Sequence, residues 1–373
     1  VAVLALSGLG FGRLLAGTGW QPTLPWSSSG DSSLSTQQLP RINAPAPHRS
    51  GLVSASTVAA LVTPAVVNIN SELGYQGALS AGTGIVLTDS GIVLTNNHVI
   101  NGATSIKGTV VGNGRTYRAS VLGYDRGHDI ALLQLRGASG LRPAHLGDSD
   151  GVQVGDSVAA VGNAGGVGGK PTVATGTVSD LGQSIAPRDE LTGGVERLTG
   201  LIQVAADVRP GDSGGPLVNS AGEVIGVDTA ASANFRYQEA GNSGFAIPIN
   251  SALAIARQIQ AGDAADGVHI GPTGMLGVTV TGASYPLSSI DSSSRGGGGV
   301  AVADVASGSP AEQAGMAPGD QIVGVDGIDV QTTNDVTQRI NQRHPGDKVH
   351  VAWVDRAGQQ HDADVTLVEG PPA

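Results

Sequence analysis

Short runs rich in Val, Ile, Leu and Thr, each closed by Gly, Asp or Asn, recur from about Ser54 to the end of the chain. β-Branched residues suit a pleated, half-buried surface. Turn residues at such short intervals leave little room for long helices, so the chain is expected to be mainly β. The 58 glycines fit this reading, and because they follow no G-x-y period a collagen-like fold is excluded. Aromatics make up 3% of the chain against 40% apolar residues, so the cores must be built from small aliphatic side chains. A length of 373 residues implies two or three domains, since one core rarely grows past roughly 250 residues.

The opening run VAVLALSGLGF is apolar, and Arg13 interrupts it before LLAG. It is too short and broken for a membrane-spanning helix, and residues 1–19 read as a signal or anchor remnant. That places the protein outside the cytoplasm, secreted or attached to the cell envelope. Residues 20–50, rich in Ser, Pro and Gln, read as a flexible linker. A folded unit is expected over 51–262. It opens with a helix and strand in STVAALVTPAVVNIN and continues as two similar β units, 50–167 and 168–250. It closes with the helix NSALAIARQIQAG, for which Asn250 is the expected N-cap and Gly262 the stop. After a linker at 263–274, a smaller domain covers 275–370. Its strands are MLGVTV, GVAVADV, DQIVGVDG, KVHVAWVD and DADVTLV, with helices at SPAEQAG and TTNDVTQRINQR and a Ser/Gly loop insertion at 287–299.

Several function classes drop out. The formal net charge of -11 argues against a nucleic-acid surface. The absence of cysteine rules out a disulfide framework, iron–sulfur clusters and thiol catalysis, though not export. The eight histidines form no spaced metal motif, and no glycine-rich segment carries the phosphate-loop lysine, so neither a metal nor an organic cofactor is expected.

Three segments carry chemistry: TNNHV around His98, HDIALL around Asp129 and RPGDSGGPL around Ser213. A serine hydroxyl is a weak nucleophile until a base takes its proton, and the base needs a buried carboxylate to hold its tautomer. The tetrahedral intermediate needs backbone donors, which the N–H groups of Gly211 and Ser213 can supply, with Asp212 lending its N–H to the same turn. Singly, each residue has an ordinary reading: His98 a surface histidine, Asp129 a turn residue before a strand, Ser213 a turn serine. His128 competes as base but lacks a matching context. GDSGG also fits the G-x-S-x-G elbow of α/β-hydrolases. That fold wants serine before acid before histidine, whereas the order here is histidine, aspartate, serine on a β-rich chain, as in the chymotrypsin type.

At these motifs the chain resembles the HtrA/DegP family of serine proteases with PDZ domains, and especially its secreted mycobacterial and actinobacterial members. The matching pieces are AGTGIVL, GIVLTNNHVI, YDRGHDIALLQL, LGDSDGVQVGDSVAAVGN, GLIQVAADVRPGDSGGPLVNSAGEVIGV and GFAIPI, over about residues 54–250. The resemblance implies a chymotrypsin-like double β-barrel with the site in its cleft, and maps the catalytic histidine, aspartate and serine onto His98, Asp129 and Ser213. Asp212 departs from the family, which often has Asn there. NAGGVGGKP suggests a shortened or flexible regulatory loop. The long N-terminal element that trimerises some relatives is not recognisable, which leaves a homotrimer open.

For primary specificity two readings stand. Asp207 occupies the place of the basic-specificity aspartate of digestive trypsins, whereas the family pattern lines the pocket with Val208 and Ala231 and favours aliphatic side chains. An unpaired buried carboxylate is costly, so Asp207 is expected to face solvent or meet Arg209 or Arg236. In the smaller domain, MLGVTV resembles a PDZ carboxylate-binding loop, formed by Leu276 and Gly277 with Val278 opening the strand, and GSPAEQAGMAPGDQIVGVDGIDV is typical of such domains. The resemblance implies a serine endopeptidase acting on unfolded or damaged extracytoplasmic proteins, with peptide C-termini as PDZ ligands. The alternative is a chaperone or peptide-binding scaffold with low or latent protease activity.

Overall fold

The computed structural model describes residues 38–42, 54–186, 197–229, 243–281 and 299–373. The remnant expected at 1–19, most of the linker at 20–50, Ala231, Arg236 and the insertion up to residue 298 lie outside the described residues. Among the described residues, no helix is long and apolar enough to cross a membrane.

Helix α1 (Ala55–Val62) leads through a 3-10 turn at Pro64 into the first barrel. Its strands are β1 (Val66–Leu73), β2 (Ala78–Val86), β3 (Ile92–Thr95), β4 (Ser105–Val110), β5 (Arg115–Asp125) and β6 (Ile130–Leu135), with the single-turn helix α2 (Asn97–Ile100) after β3. The order β5-β4-β1-β2-β3-β6 closes on itself through the β5–β6 pairing. The second closed barrel runs β10-β11-β12-β9-β8-β7. Its strands are β7 (Ser157–Gly162), β8 (Thr172–Ile185), β9 (Leu198–Val204), β10 (Pro216–Asn219), β11 (Val224–Thr229) and β12 (Gly244–Pro248). Closure pairs the outermost strands of each six-stranded barrel with each other instead of leaving them as edges.

Two expectations are corrected here. The first β unit does not extend to residue 167: β7 pairs with β8 and β10 and belongs to the second barrel. Nor does Asn250 cap the following helix α3 (Ile249–Ala261): Pro248 is the N-cap, and the Asn250 amide donates to Asp148 Oδ1 at 2.7 Å. A tertiary partner has outcompeted the local cap. Gly262 does end the helix, in the left-handed conformation. A third difference lies in the expected linker, where Leu39 is buried and packs with Ile42 on the protease core.

One apolar cluster runs through both barrels. It joins Leu94, Ile130 and Leu132 of the first to Val224, Val227 and Ile247 of the second, with Leu253, Ala256 and Ile259 of α3 laid against them. Each such valine, leucine or isoleucine, fully buried, contributes about 1.5–3 kcal/mol. The barrels are therefore packed firmly against each other through this cluster.

After α3 come β13 (Val268–Ile270), which pairs with β5, and β14 (Thr273–Met275). The C-terminal domain continues with β15 (Val278–Thr281), β16 (Val300–Val305), α4 (Pro310–Gln313), β17 (Gln321–Val325) and β18 (Ile328–Asp329). Then follow α5 (Thr333–Asn341), β19 (Lys348–Val354), β20 (Gln360–Thr366) and β21 (Val368–Gly370). Its main sheet runs β15-β16-β17-β19-β20, so β15 lies at an edge, and β14 pairs with β21. Helix α5 starts with a capping box between Thr332 and Asp335. The domains touch through a ring stack: Tyr124 on β5 lies 5.0 Å from His269, which lies 4.7 Å from His344.

Candidate active site

His98 sits on α2 directly after β3, with its side chain 26% exposed. Asp129 precedes β6 and is buried. The Asp129 carboxylate accepts from the His98 backbone N–H at 3.0 Å, and its Oδ2 lies 2.8 Å from His98 Nδ1. Thr229 at the end of β11 donates its hydroxyl to the same Oδ2 at 3.3 Å. Asp129 has φ of +55°, a conformation unfavourable for a residue with a Cβ, and the Asn96 amide holds its carbonyl at 2.9 Å. With Nδ1 turned to the carboxylate, His98 keeps its proton there and offers Nε2 as the acceptor. Among the described residues, that buried Nε2 has no hydrogen-bond partner. His128 is elsewhere: its Nδ1 lies 2.6 Å from Asp125 Oδ2, and its side chain is largely exposed.

Ser213 is buried in the turn before β10. Two glycines permit this turn. Gly211 has φ of +99°, and a Cβ there would stand 2.2 Å from Asn163 O; Gly214 has φ of +83°, and a Cβ would stand 2.2 Å from Thr83 O. The turn packs on the strand–helix junction that carries His98: the same Cβ at Gly214 would lie 3.2 Å from Asn96 N. A Cβ on Gly82 would meet both Val99 of α2, at 2.7 Å, and Ser213 O, at 3.2 Å. The fold thus gathers all three residues of the expected constellation at the barrel interface.

The carbonyls of the turn are each held by a donor. Pro210 O accepts from Gly165 N at 2.8 Å, Gly211 O from the Thr83 hydroxyl at 2.7 Å, Asp212 O from Gly215 N at 2.8 Å and Ser213 O from Thr83 N at 2.8 Å. The Asp212 N–H donates to Arg209 O at 2.9 Å, so of the three residues expected around the oxyanion it is the one whose N–H serves the turn itself. Its carboxylate accepts from Arg209 N at 2.9 Å and from the Thr172 hydroxyl at 3.3 Å. Burial raises the Asp212 carboxyl above its usual range against the pull of these bonds. Near it lies Asp228, fully buried. Burial first, then the Asp212 charge, pushes its carboxyl well above the usual range, against the opposing pull of a backbone hydrogen bond with Val161.

The specificity candidates separate. The Asp207 carboxylate accepts from Arg209 Nε at 2.7 Å and is 42% exposed. Val208 is half-buried and packs on the second-barrel core, where a Cβ at Gly244 would lie 2.3 Å from its Cγ2. In the C-terminal domain, Leu276 O accepts from Ala311 N at 3.0 Å and Gly277 O from Ala306 N at 2.9 Å. Gly277 has φ of +86°, and a Cβ there would stand 2.3 Å from that of Ser309. This loop opens onto the edge strand β15, beginning at Val278.

The sequence reading passed over Thr83, Asn96 and Thr229. Asn96 lies inside TNNHV and Thr83 inside AGTGIVL, so both were visible, but only the fold shows what they touch.

Comparison with known proteins agrees with this architecture. Residues 82–227 match the trypsin-like peptidase domain and residues 274–367 the PDZ domain. The serine protease HhoA of Synechocystis is 39% identical over 259 residues, covering 67% of this chain and 61% of that protein. Serine protease PepD of Mycobacterium tuberculosis is 33% identical over 328 residues, covering 84% and 66%. The periplasmic pH-dependent serine endoprotease DegQ of Escherichia coli is 36% identical over 295 residues, covering 77% and 59%. The chain spans about three fifths of the length of the curated relatives it matches. These relatives come from cyanobacteria, mycobacteria and enterobacteria, so the likeness is to the family at large rather than to its mycobacterial branch. With its two closed barrels, its peptidase and PDZ matches and these relatives, the chain belongs to the HtrA/DegP family of trypsin-like serine proteases with a PDZ domain.

Proposed function

We propose that this chain is a serine endopeptidase that cuts unfolded or damaged proteins outside the cytoplasm, with its PDZ domain capturing peptide C-termini. The observation that carries the reading is the His98–Asp129 contact at 2.8 Å beside a glycine turn that presents Ser213. In this reading His98 Nε2 takes the proton of Ser213 Oγ as the oxygen attacks the scissile carbonyl. The developing oxyanion is met by the N–H groups of Gly211 and Ser213. His98 then returns the proton to the leaving amine, and a water repeats the sequence to free the acyl group. Asp129 keeps the productive tautomer and stabilises the imidazolium.

Val208, packed on the barrel core, supports a pocket for aliphatic side chains, whereas the Asp207 carboxylate is neutralised by Arg209 at the surface. A peptide C-terminus would add as a strand to β15, its carboxylate on the N–H groups of the Leu276–Val278 loop. The residues around that loop also touch the protease domain: β14 pairs with β21, and the residues beyond β21 reach α2 and the turn after it. There Gly102 N donates to Pro372 O at 2.7 Å and the Asn97 amide to Ala373 O at 3.2 Å. The relatives described as periplasmic support an extracytoplasmic place.

The test is cleavage of unfolded casein by the wild type and by Ser213→Ala, with cut sites mapped by mass spectrometry. Cuts after Val, Ala or Ile that vanish in the variant are expected. Cuts after Lys or Arg would return the specificity role to Asp207. A wild type that binds casein without cutting it would favour the chaperone reading.

A further inference from the structure

We propose that Thr83, on β2 of the first barrel, is the positioning residue that sets the oxyanion turn of the second; this rests on the peptidase reading above. Thr83 is fully buried, and its polar groups reach across the barrel interface. Its N–H donates to Ser213 O at 2.8 Å. Its hydroxyl donates to Gly211 O at 2.7 Å and accepts from Asn163 N at 2.9 Å. Its own carbonyl accepts from the Thr95 hydroxyl at 2.7 Å, which fastens it to the strand leading into His98.

A peptide group is planar and trans, so holding its carbonyl in one direction turns its N–H in the opposite one. The donors wanted for an oxyanion are the N–H groups of Gly211 and Ser213, which belong to peptides whose carbonyls are those of Pro210 and Asp212. These two, and the carbonyls of Gly211 and Ser213 beside them, are tied back. A carbonyl that swung inward would set a lone pair where the oxyanion must sit. Three of the four tethers are backbone N–H groups, from Gly165, Gly215 and Thr83, which almost any sequence would supply. The fourth, the Thr83 hydroxyl, is fixed by residue identity.

The hydroxyl also couples two of the tethers. By accepting from Asn163 N it holds the start of the segment that carries Gly165, the donor to Pro210 O. The Asn163 side chain steadies the same segment by accepting from Gly168 N at 2.7 Å. Removing the hydroxyl therefore frees the Gly211 carbonyl and loosens the support of the Pro210 carbonyl together. A buried acceptor and a buried donor would be left unsatisfied, and both could regain partners by rearranging the turn.

The experiment compares wild type, Thr83→Val, Thr83→Ser and Ser213→Ala. Valine keeps the branched shape without the hydroxyl; serine keeps the hydroxyl without the methyl. The substrate is a peptide spanning a casein site that the wild type cuts, and the inhibitor is the aldehyde of its acyl half, whose adduct with serine carries the oxyanion. Circular dichroism checks that each variant is folded. Thr83→Val is expected to lose about 10²-fold in kcat with little change in KM, and to bind the aldehyde more weakly by a similar factor. Thr83→Ser should stay within about threefold of wild type in both. Unchanged kcat and aldehyde affinity in folded Thr83→Val, or an equal loss in Thr83→Ser, would overturn the positioning role alone. A wild type that cuts no casein, or a Ser213→Ala variant that cuts as fast, would overturn the peptidase reading and this inference with it.

Discussion

The molecule contains two glycine turns of the same design, and they differ in what holds them. At Gly211 and at Gly277 a positive φ admits only glycine comfortably, a Cβ would stand 2.2 and 2.3 Å from its nearest neighbour, and adjacent carbonyls are tied back by donors. Both are suited to binding a negatively charged oxygen with backbone N–H groups. The Gly277 loop is restrained by Ala306 and Ala311 of its own domain. The Gly211 turn is restrained by Thr83, 128 residues away in the other barrel, and by Gly165. The proposed peptide-binding turn is thus held within its own domain, whereas the proposed catalytic turn is held from both barrels. A turn held by distant partners is easier to disturb, so catalysis should fail before peptide capture does.

The largest effects should fall on one turn and spare the other. Ser213→Ala is expected to cut casein hydrolysis by about 10⁴-fold or more, and Asp129→Asn by about 10⁴-fold, with PDZ peptide affinity unchanged in both by titration calorimetry. Loss of peptide binding in either would break the separation. Gly211→Ala, which sets a Cβ against Asn163 O, should lower kcat by about 10²–10³-fold. Gly277→Ala should weaken C-terminal peptide binding by about tenfold or more while cleavage of a short peptide continues.

Much of this was legible in the chain. The Gly-bounded aliphatic runs gave the β class, and TNNHV, HDIALL and RPGDSGGPL carry their chemistry in local context. What stayed hidden depends on partners far along the chain. No local pattern shows that β7 pairs with β10, because strands of either barrel read alike. Asn250 looks like a cap until Asp148, 102 residues away, takes its amide. Leu39, in a polar stretch, gives no sign that it packs on the protease core. Thr83 and Thr229 sit in strands as ordinary β-branched residues, and only the closed barrels bring them to Gly211 and Asp129.

A smaller effect sharpens the picture of the proposed catalytic turn. Asp228 is bound by its backbone to Gly214 and Gly215, and burial raises its carboxyl pKa well above the usual range. The folded protein therefore holds a proton that the unfolded chain gives up above about pH 4, so stability falls as pH rises from there toward the raised pKa. Asp228→Asn, neutral at every pH, should match wild type in unfolding free energy by denaturant titration near pH 4 and exceed it increasingly at higher pH, by roughly 1.4 kcal/mol for each pH unit within that window. A constant difference would mean that Asp228 ionises normally. The smallest effect is expected at Asp207: its carboxylate is engaged by Arg209 at the surface, so Asp207→Ser should leave the cleavage preference unchanged in mapped casein digests.

The central claim is that His98, Asp129 and the Gly211–Ser213 turn form one working site. A fluorophosphonate probe, which reacts only with an activated serine, tests it most directly when the labelled residue is located by mass spectrometry. Labelling of Ser213 in the wild type, lost in His98→Ala and strongly slowed in Asp129→Asn, is the predicted result. Labelling at another serine, or at Ser213 with equal speed in all three proteins, would contradict it.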